Sequence, residues 1–336
     1  MRWSKSTIVY AVMLGAALLA CKQAQQLKEK AEKQAKEAAE EATNPDQQLG
    51  AKLDSYLPCI NQVSGRVMDS RQRYASWLDD VEQGPTGKER VVYNLYPLVD
   101  STLEQCKQGL TAAREKKPDL ADLDKAGKDY EAALTKVAPL IKDAHDYYDQ
   151  KKYLDDKFAK AKEMHKPLWS AFTAFAKAND ALHSAYEAQA DGLAERELKR
   201  IEKDEGKKLH YWTRKLMLDA KALVRAADVK DLDELDAAKF GAQVDAFEAV
   251  VKSTDDYATG HAAEKKTTYS RFISSAKDFL KSCRALHRRV RDKTPWSFSD
   301  KHSMSNGMAE HIEGHPANVL KTYNDLVSAS NMMNRF

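Results

Sequence analysis

The stretch HKPLWSAFTAFAKANDALHSAYEAQADGLAERELKRIEKDEG, residues 165–206, decides the fold class of this chain. Leu168, Trp169, Phe172, Phe175, Leu182, Tyr186, Leu193 and Ile201 recur at helical steps, which gathers apolar side chains on one face of an α-helix. Phe158 and His165 extend the stripe backwards, and Gly206 closes it. Nothing in it alternates with the period of a strand.

The same spacing continues on both sides. Upstream, Leu53, Leu57, Ile60, Val63, Val67, Tyr74, Leu78 and Val81 form one stripe, interrupted at Gly84-Pro85-Thr86-Gly87. Thr86 with Glu89 reads as a capping box that starts a second helix carrying Val92, Leu95, Val99, Leu103, Cys106 and Leu110. Pro118-Asp119 opens a third, with Leu123, Tyr130, Leu134, Val137, Ile141 and Tyr148. Downstream run Leu209-Trp212-Leu216-Leu223, Phe240-Val244-Phe247-Val251, Phe272-Phe279-Leu286-Val290 and Val319-Tyr323-Leu326. An all-α protein is predicted: an elongated antiparallel helical bundle with an N-terminal helical spacer, one body rather than two. Pro58, Pro97, Pro139 and Pro167 fall inside these patterns, so kinks or breaks are expected there.

Composition agrees. Of 336 residues 43% are hydrophobic and 31% charged, while Gly (13) and Pro (9) are scarce. Lys and Arg number 54 against 51 Asp and Glu, a net charge of +3, which excludes the decisive basic excess of a nucleic-acid binder.

Arg2 and Lys5 precede an apolar run from Thr7 to Ala20 that is too short to span a bilayer but fits a signal-peptide core. The run ends Leu18-Leu19-Ala20-Cys21, which resembles the bacterial lipobox. That resemblance implies cleavage before Cys21, a thioether-linked diacylglycerol on its sulfur and a further acyl chain, palmitate among such groups, on its new amine. Lys22 in place of Asp favours sorting to the outer membrane, facing the periplasm. Residues 22–44 are rich in Lys, Glu, Ala and Gln, with Leu27 as the sole large apolar residue. They read as a helical spacer of about 35 Å rather than a coiled-coil strand, since the apolar seam is missing. The organisation predicted is a signal peptide over 1–20, a tether over 21–46 and a helical domain over 47–336.

Tyr74-Ala75-Ser76-Trp77-Leu78, followed by Gln83-Gly84-Pro85-Thr86-Gly87-Lys88-Glu89-Arg90, resembles the YiiG-type bacterial lipoproteins, whose domain has no assigned function. Supporting stretches are Cys59, Cys106, Glu205-Gly206-Lys207, His210-Tyr211 and Arg288 through Pro295, in the same order from about Gln48 onward. The spacer and Cys283 lie outside the pattern. The resemblance implies a helical, lipid-anchored periplasmic domain and carries no catalytic residues.

A hairpin centred near Gly84 places Cys59 opposite about residue 109, within one helical turn of Cys106. Spacing leaves open a disulfide or two small core residues; with the resemblance added, a Cys59–Cys106 bridge is expected. Cys283, on the Phe279–Leu286 stripe, is expected as a buried free thiol rather than a nucleophile. His302, His311, Glu313 and His315 lack the spacing of a zinc site and read as a polar turn entering a helix at Pro316. His165 and His183 are expected as hydrogen-bonded core histidines, and Asp79-Asp80 and Asp155-Asp156 as surface residues.

Lys281, Arg284, Arg288, Arg289, Arg291 and Lys293 face a single acid, Asp292, across a predicted helix end. The run reads either as a solvated helix terminus or as a docking patch for an anionic partner. On the second reading, reversing Arg288 and Arg289 would weaken that partner with little effect on helical content. No phosphate loop, nucleophile elbow or paired-carboxylate motif is present, so neither an enzyme nor a cofactor or metal is expected. The expected function is a lipid-anchored envelope protein that binds a protein partner through a helical surface. The alternatives are an immunity protein against a toxin delivered to the periplasm, or a carrier of a lipid or small ligand.

Overall fold

The computed structural model describes residues 44–229 and 231–335; the signal segment, Cys21 and the tether as far as residue 43 lie outside them. The described residues are helices joined by turns and irregular segments, with no strand among them. They divide into two compact units with the boundary after Leu193, each around its own apolar core. The single body expected from the stripes is thus two cores. Helical periodicity says which face of a helix is buried, not which other helix covers it.

The first unit begins with α1 (Pro45–Asp54), whose Asn44 side chain accepts from the backbone N–H groups of Asp46 and Gln47 while Pro45 fills the first turn. The helix therefore starts inside the stretch read as tether. Pro58 precedes a π-helical turn, Cys59–Ser64, which leads into α2 (Gly65–Ala75). Helix α3 (Asp100–Glu115) follows an irregular connection over residues 76–99, and α4 (Ala121–Asp149) and α5 (Ala159–Glu205) complete the element order here. Tyr56, Val63, Val67, Tyr74, Leu110, Tyr130, Val137, Ile141, Phe172 and Phe175 are fully buried in this unit's core. Gly109 lets α3 pass the chain leaving α1, because a Cβ there would lie 2.2 Å from the Ser55 carbonyl oxygen.

The second helix differs from its predicted span. Thr86 and Glu89 do interact: the Glu89 carboxylate accepts from the Thr86 N–H, the Thr86 hydroxyl at 2.9 Å and the Gly87 N–H at 2.8 Å. Burial opposes the charge on Glu89, yet these donors hold its carboxyl below the usual range. The geometry closes a loop instead of opening a helix, and α3 starts only at Asp100, past Pro97. A helix through residues 90–99 would leave Pro97 without its hydrogen bond and disfavour the helical backbone of Tyr96. Pro139 and Pro167, by contrast, sit within uninterrupted α4 and α5. Both are exposed, so the carbonyl freed one turn earlier can be hydrated.

In the second unit, α6 (Leu209–Ala227), α7 (Ala237–Gly260), α8 (Tyr269–Arg291) and α10 (Pro316–Arg335) pack as a closed ring of four, each against the next and α10 against α6. The short α9 (Phe298–Ser305) was not in the predicted series; Ser297 and Asp300 form its capping box. Leu216, Leu223, Phe240, Phe247, Phe272, Phe279, Leu286, Val319 and Leu326 fill the core at the predicted stripe positions.

Candidate functional site

Cys59 and Cys106 are bonded, with their Cα atoms 4.6 Å apart. The pair is the expected one, but the chain between them is not the expected hairpin. Cys283 is free and fully buried, and burial pushes its thiol well above the ordinary range, so it stays protonated and inert.

The basic run on α8 is largely tied up internally. Arg284 pairs with Glu248, Arg288 with Glu313 at 3.6 Å and Arg291 with its neighbour Asp292 at 2.8 Å. Arg289 is a structural centre: it stacks on Trp296 at 4.0 Å, donates to the carbonyls of Pro295 and Glu313, and lies 3.8 Å from Asp300. Its side chain is 14% exposed. Reversing Arg289 would therefore disrupt the turn between α8 and α10, contrary to the expectation of an unaffected helix end. Only Lys281 and Lys293 of the six make no ion pair among the described residues.

The histidines do not converge. His302 bonds Asn306, His311 lies 3.3 Å from Glu310, and the His315 ring accepts from the Ala317 N–H at 3.0 Å, capping α10. Among the described residues no group of three His, Cys, Asp or Glu could hold a metal ion. His183 is half-buried rather than core, and its Nε2 has no hydrogen-bond partner.

His165 is buried and bonded as expected, and it seats the Gly84 loop. Its Nδ1 meets the Tyr74 hydroxyl at 2.9 Å. Asp80 shapes the approach by accepting from the backbone of Glu82 and Gln83. Gly84 then crosses the imidazole with φ +76°, where a Cβ would lie 2.3 Å from the ring. Gly84→Ala is expected to cost about 1–3 kcal/mol, because the ring is buried and bonded to the Tyr74 hydroxyl, and the backbone there has a positive φ. Thermal unfolding checks this; an unchanged midpoint would mean the loop does not close on the ring.

Burial holds the His165 imidazole below its ordinary value, against the opposing pull of Val81 and Glu82. The folded chain then binds fewer protons there than the unfolded one below about pH 6.5. The stability this gives is complete above that pH and is lost as the pH falls towards the folded pKa. Unfolding measured from pH 7.5 to 5 should show this acid slope, smaller in His165→Gln. Equal slopes would remove His165 as its source.

Sequence reasoning missed the surface made by α2 and the segment that crosses it. Ser70 donates to the Tyr96 carbonyl and accepts from the Tyr96 N–H, at 2.9 and 3.1 Å. Arg73 Nε donates to the Asn94 carbonyl at 2.9 Å, and Arg66 Nε to the Pro97 carbonyl at 3.2 Å. The guanidinium of Arg66 stacks on Tyr96 at 4.7 Å; that of Arg73 lies 5.0 Å from the Tyr96 ring and 4.9 Å from Tyr93. The result is an interleaved ladder, Arg66–Tyr96–Arg73–Tyr93. Behind it Arg71 stacks on Trp169 at 4.7 Å. None of Arg66, Arg71, Arg73 and Arg90 has a carboxylate within ion-pair distance among the described residues. The available signal was Pro97 with Tyr93, Tyr96 and three arginines within two turns of the preceding helix.

Two comparisons bear on the whole chain. A family described as "Protein of unknown function (DUF3829)" matches residues 47–332, across both units. The chain is also similar to "Uncharacterized protein YiiG" of Escherichia coli (strain K12), 31% identical over 305 residues, covering 90% of this chain and 84% of that protein. No solved structure matches.

Proposed function

We propose, for a chain that belongs to the DUF3829 family of unknown function, a non-enzymatic lipoprotein of the bacterial envelope that binds a protein partner through its folded body. Cys21 carries the lipid, the Lys/Glu/Ala/Gln-rich segment acts as spacer, and the surface of α2 with residues 88–99 makes the contact. The supporting observation is the composition of that surface. Val91, Tyr93 and Val99 are 50%, 41% and 59% exposed, beside stacked arginines that lack a carboxylate. Tyr and Arg are the residue types enriched where protein interfaces hold most strongly, and stacked side chains have little freedom left to lose. The non-enzymatic part is supported by the burial-shifted groups, Tyr56, Tyr130 and Cys283, whose packed surroundings all favour the neutral form.

An immunity protein is the narrower form of the same reading, its partner a periplasmic toxin; an adjacent toxin gene would favour it. A ligand carrier would use the groove of about 320 Å³ beside Val224, Ala227, Pro316 and Leu320.

Two measurements test the proposal. Labelled fatty acid should enter the wild-type chain and not Cys21→Ser; equal labelling defeats the anchor. A photo-crosslinking residue at position 93 should trap a discrete protein in intact envelopes, while one at Leu154, 67% exposed and outside both α2 and residues 88–99, should not. Identical products from both positions would defeat the surface.

A further inference from the structure

The segment that crosses α2 is hydrogen-bonded over residues 94–97 and open over residues 90–93. Burial alternates residue by residue from Val91 to Val99, with Leu95 as the exception, which is the signature of extended chain. Towards the protein, the carbonyls of Asn94, Leu95, Tyr96 and Pro97 are taken by Arg73, His145, Ser70 and Arg66. The backbone N–H and C=O groups of Arg90, Val91, Val92 and Tyr93 make no hydrogen bond with any described residue. Three of the seven exposed large hydrophobics among the described residues fall on this segment. Such an edge is a template for another strand.

Charge sets what that strand carries. Arg90 is exposed and makes no hydrogen bond or ion pair with a described residue, and the ladder holds Arg66 and Arg73 near the open edge with guanidinium donors to spare. Asp69, on the same helix, lies beyond ion-pair distance of both, and Glu89 is engaged by Thr86 and Gly87. We propose that the open edge at Arg90–Tyr93 takes an extended, acidic segment of a protein partner. Its main chain pairs with these four residues, its carboxylates meet Arg73 and Arg90, and its alternate apolar side chains cover Val91 and Tyr93. A phosphate-bearing lipid surface could use the same arginines but would leave the Arg90–Tyr93 amides unpaired. The inference rests on the reading that this face binds a protein.

The test uses the purified lipoprotein in neutral detergent micelles and a labelled ten-residue peptide alternating Glu with Val, against one alternating Lys with Val. The Glu peptide should bind saturably and slow hydrogen exchange at Arg90–Tyr93, and the Lys peptide should do neither. Arg90→Glu, which breaks no hydrogen bond or ion pair, should weaken binding about tenfold with an unchanged melting curve. Equal binding of both peptides, unaltered affinity in Arg90→Glu, or the Glu peptide's displacement by added phosphatidylglycerol overturns the proposal. If the peptide fails while position 93 still crosslinks a protein in envelopes, the acidic strand is wrong and the binding face stands. If both fail, the face is wrong as well.

Discussion

Replacing Cys59 and Cys106 together by Ala is expected to destabilise the first unit by about 4 kcal/mol. The bridge joins residues 47 apart and encloses the π-helical turn, α2, the Gly84 loop and the segment that crosses α2. Opening a loop of that length returns to the unfolded chain a conformational entropy of about 4 kcal/mol at room temperature, by the chain-entropy account. The native contacts at the crossing remain, because Val63, Val67 and Leu110 are buried in one core independently of the sulfurs. The loss should therefore sit in the free energy of unfolding, with the helical signal before unfolding little changed. Reduction of the wild type should reproduce the double variant, since Cys283 is buried and unbonded. Urea unfolding with and without reductant measures this. Coincident curves would show that the enclosed segments are already ordered in the unfolded chain.

Stripes with uninterrupted periodicity were legible: α6, α7, α8 and α10 lie where the apolar residues place them. The segment between Gly84 and Asp100 was not. Thr86 and Glu89 satisfy one another in a helix start and in a closed loop alike, so their pairing cannot choose between the two. What chooses is tertiary: Ser70, Arg73 and Arg66 supply the donors and acceptor that the extended backbone needs. The structural role of Arg289 was hidden for the related reason that sequence shows charges but not their partners. Asp300 and Glu313 are nine or more positions away, and Trp296 is hidden in a loop. The most informative arginines were those without a carboxylate partner, and only the fold reveals which they are.

Asp124→Ala is expected to cost about 3–5 kcal/mol, the range for leaving one member of a buried ion pair alone. The Lys52 side chain is fully buried, and its ammonium lies 2.7 Å from Asp124 Oδ1, with one further bond to the Lys116 carbonyl at 3.2 Å. Asp124 is the better placed partner. Its side chain is 27% exposed, and it also accepts from the Tyr56 hydroxyl at 3.2 Å and the Leu120 N–H at 3.0 Å. Burial, then the neighbouring Asp124 charge, drives the Tyr56 hydroxyl well above its ordinary range, so it remains a donor. The two substitutions are therefore unequal. Lys52→Met leaves a carboxylate that keeps two protein donors and touches water, and its apolar stem refills the space. Asp124→Ala strands an ammonium among buried side chains with a single carbonyl for company. Adding Lys52→Met to Asp124→Ala should then restore part of the loss, because it removes the stranded charge. Unfolding free energies of the two single variants and the double variant read this directly. A Lys52→Met loss as large as that of Asp124→Ala would mean that burial of the ammonium is not what makes this pair indispensable.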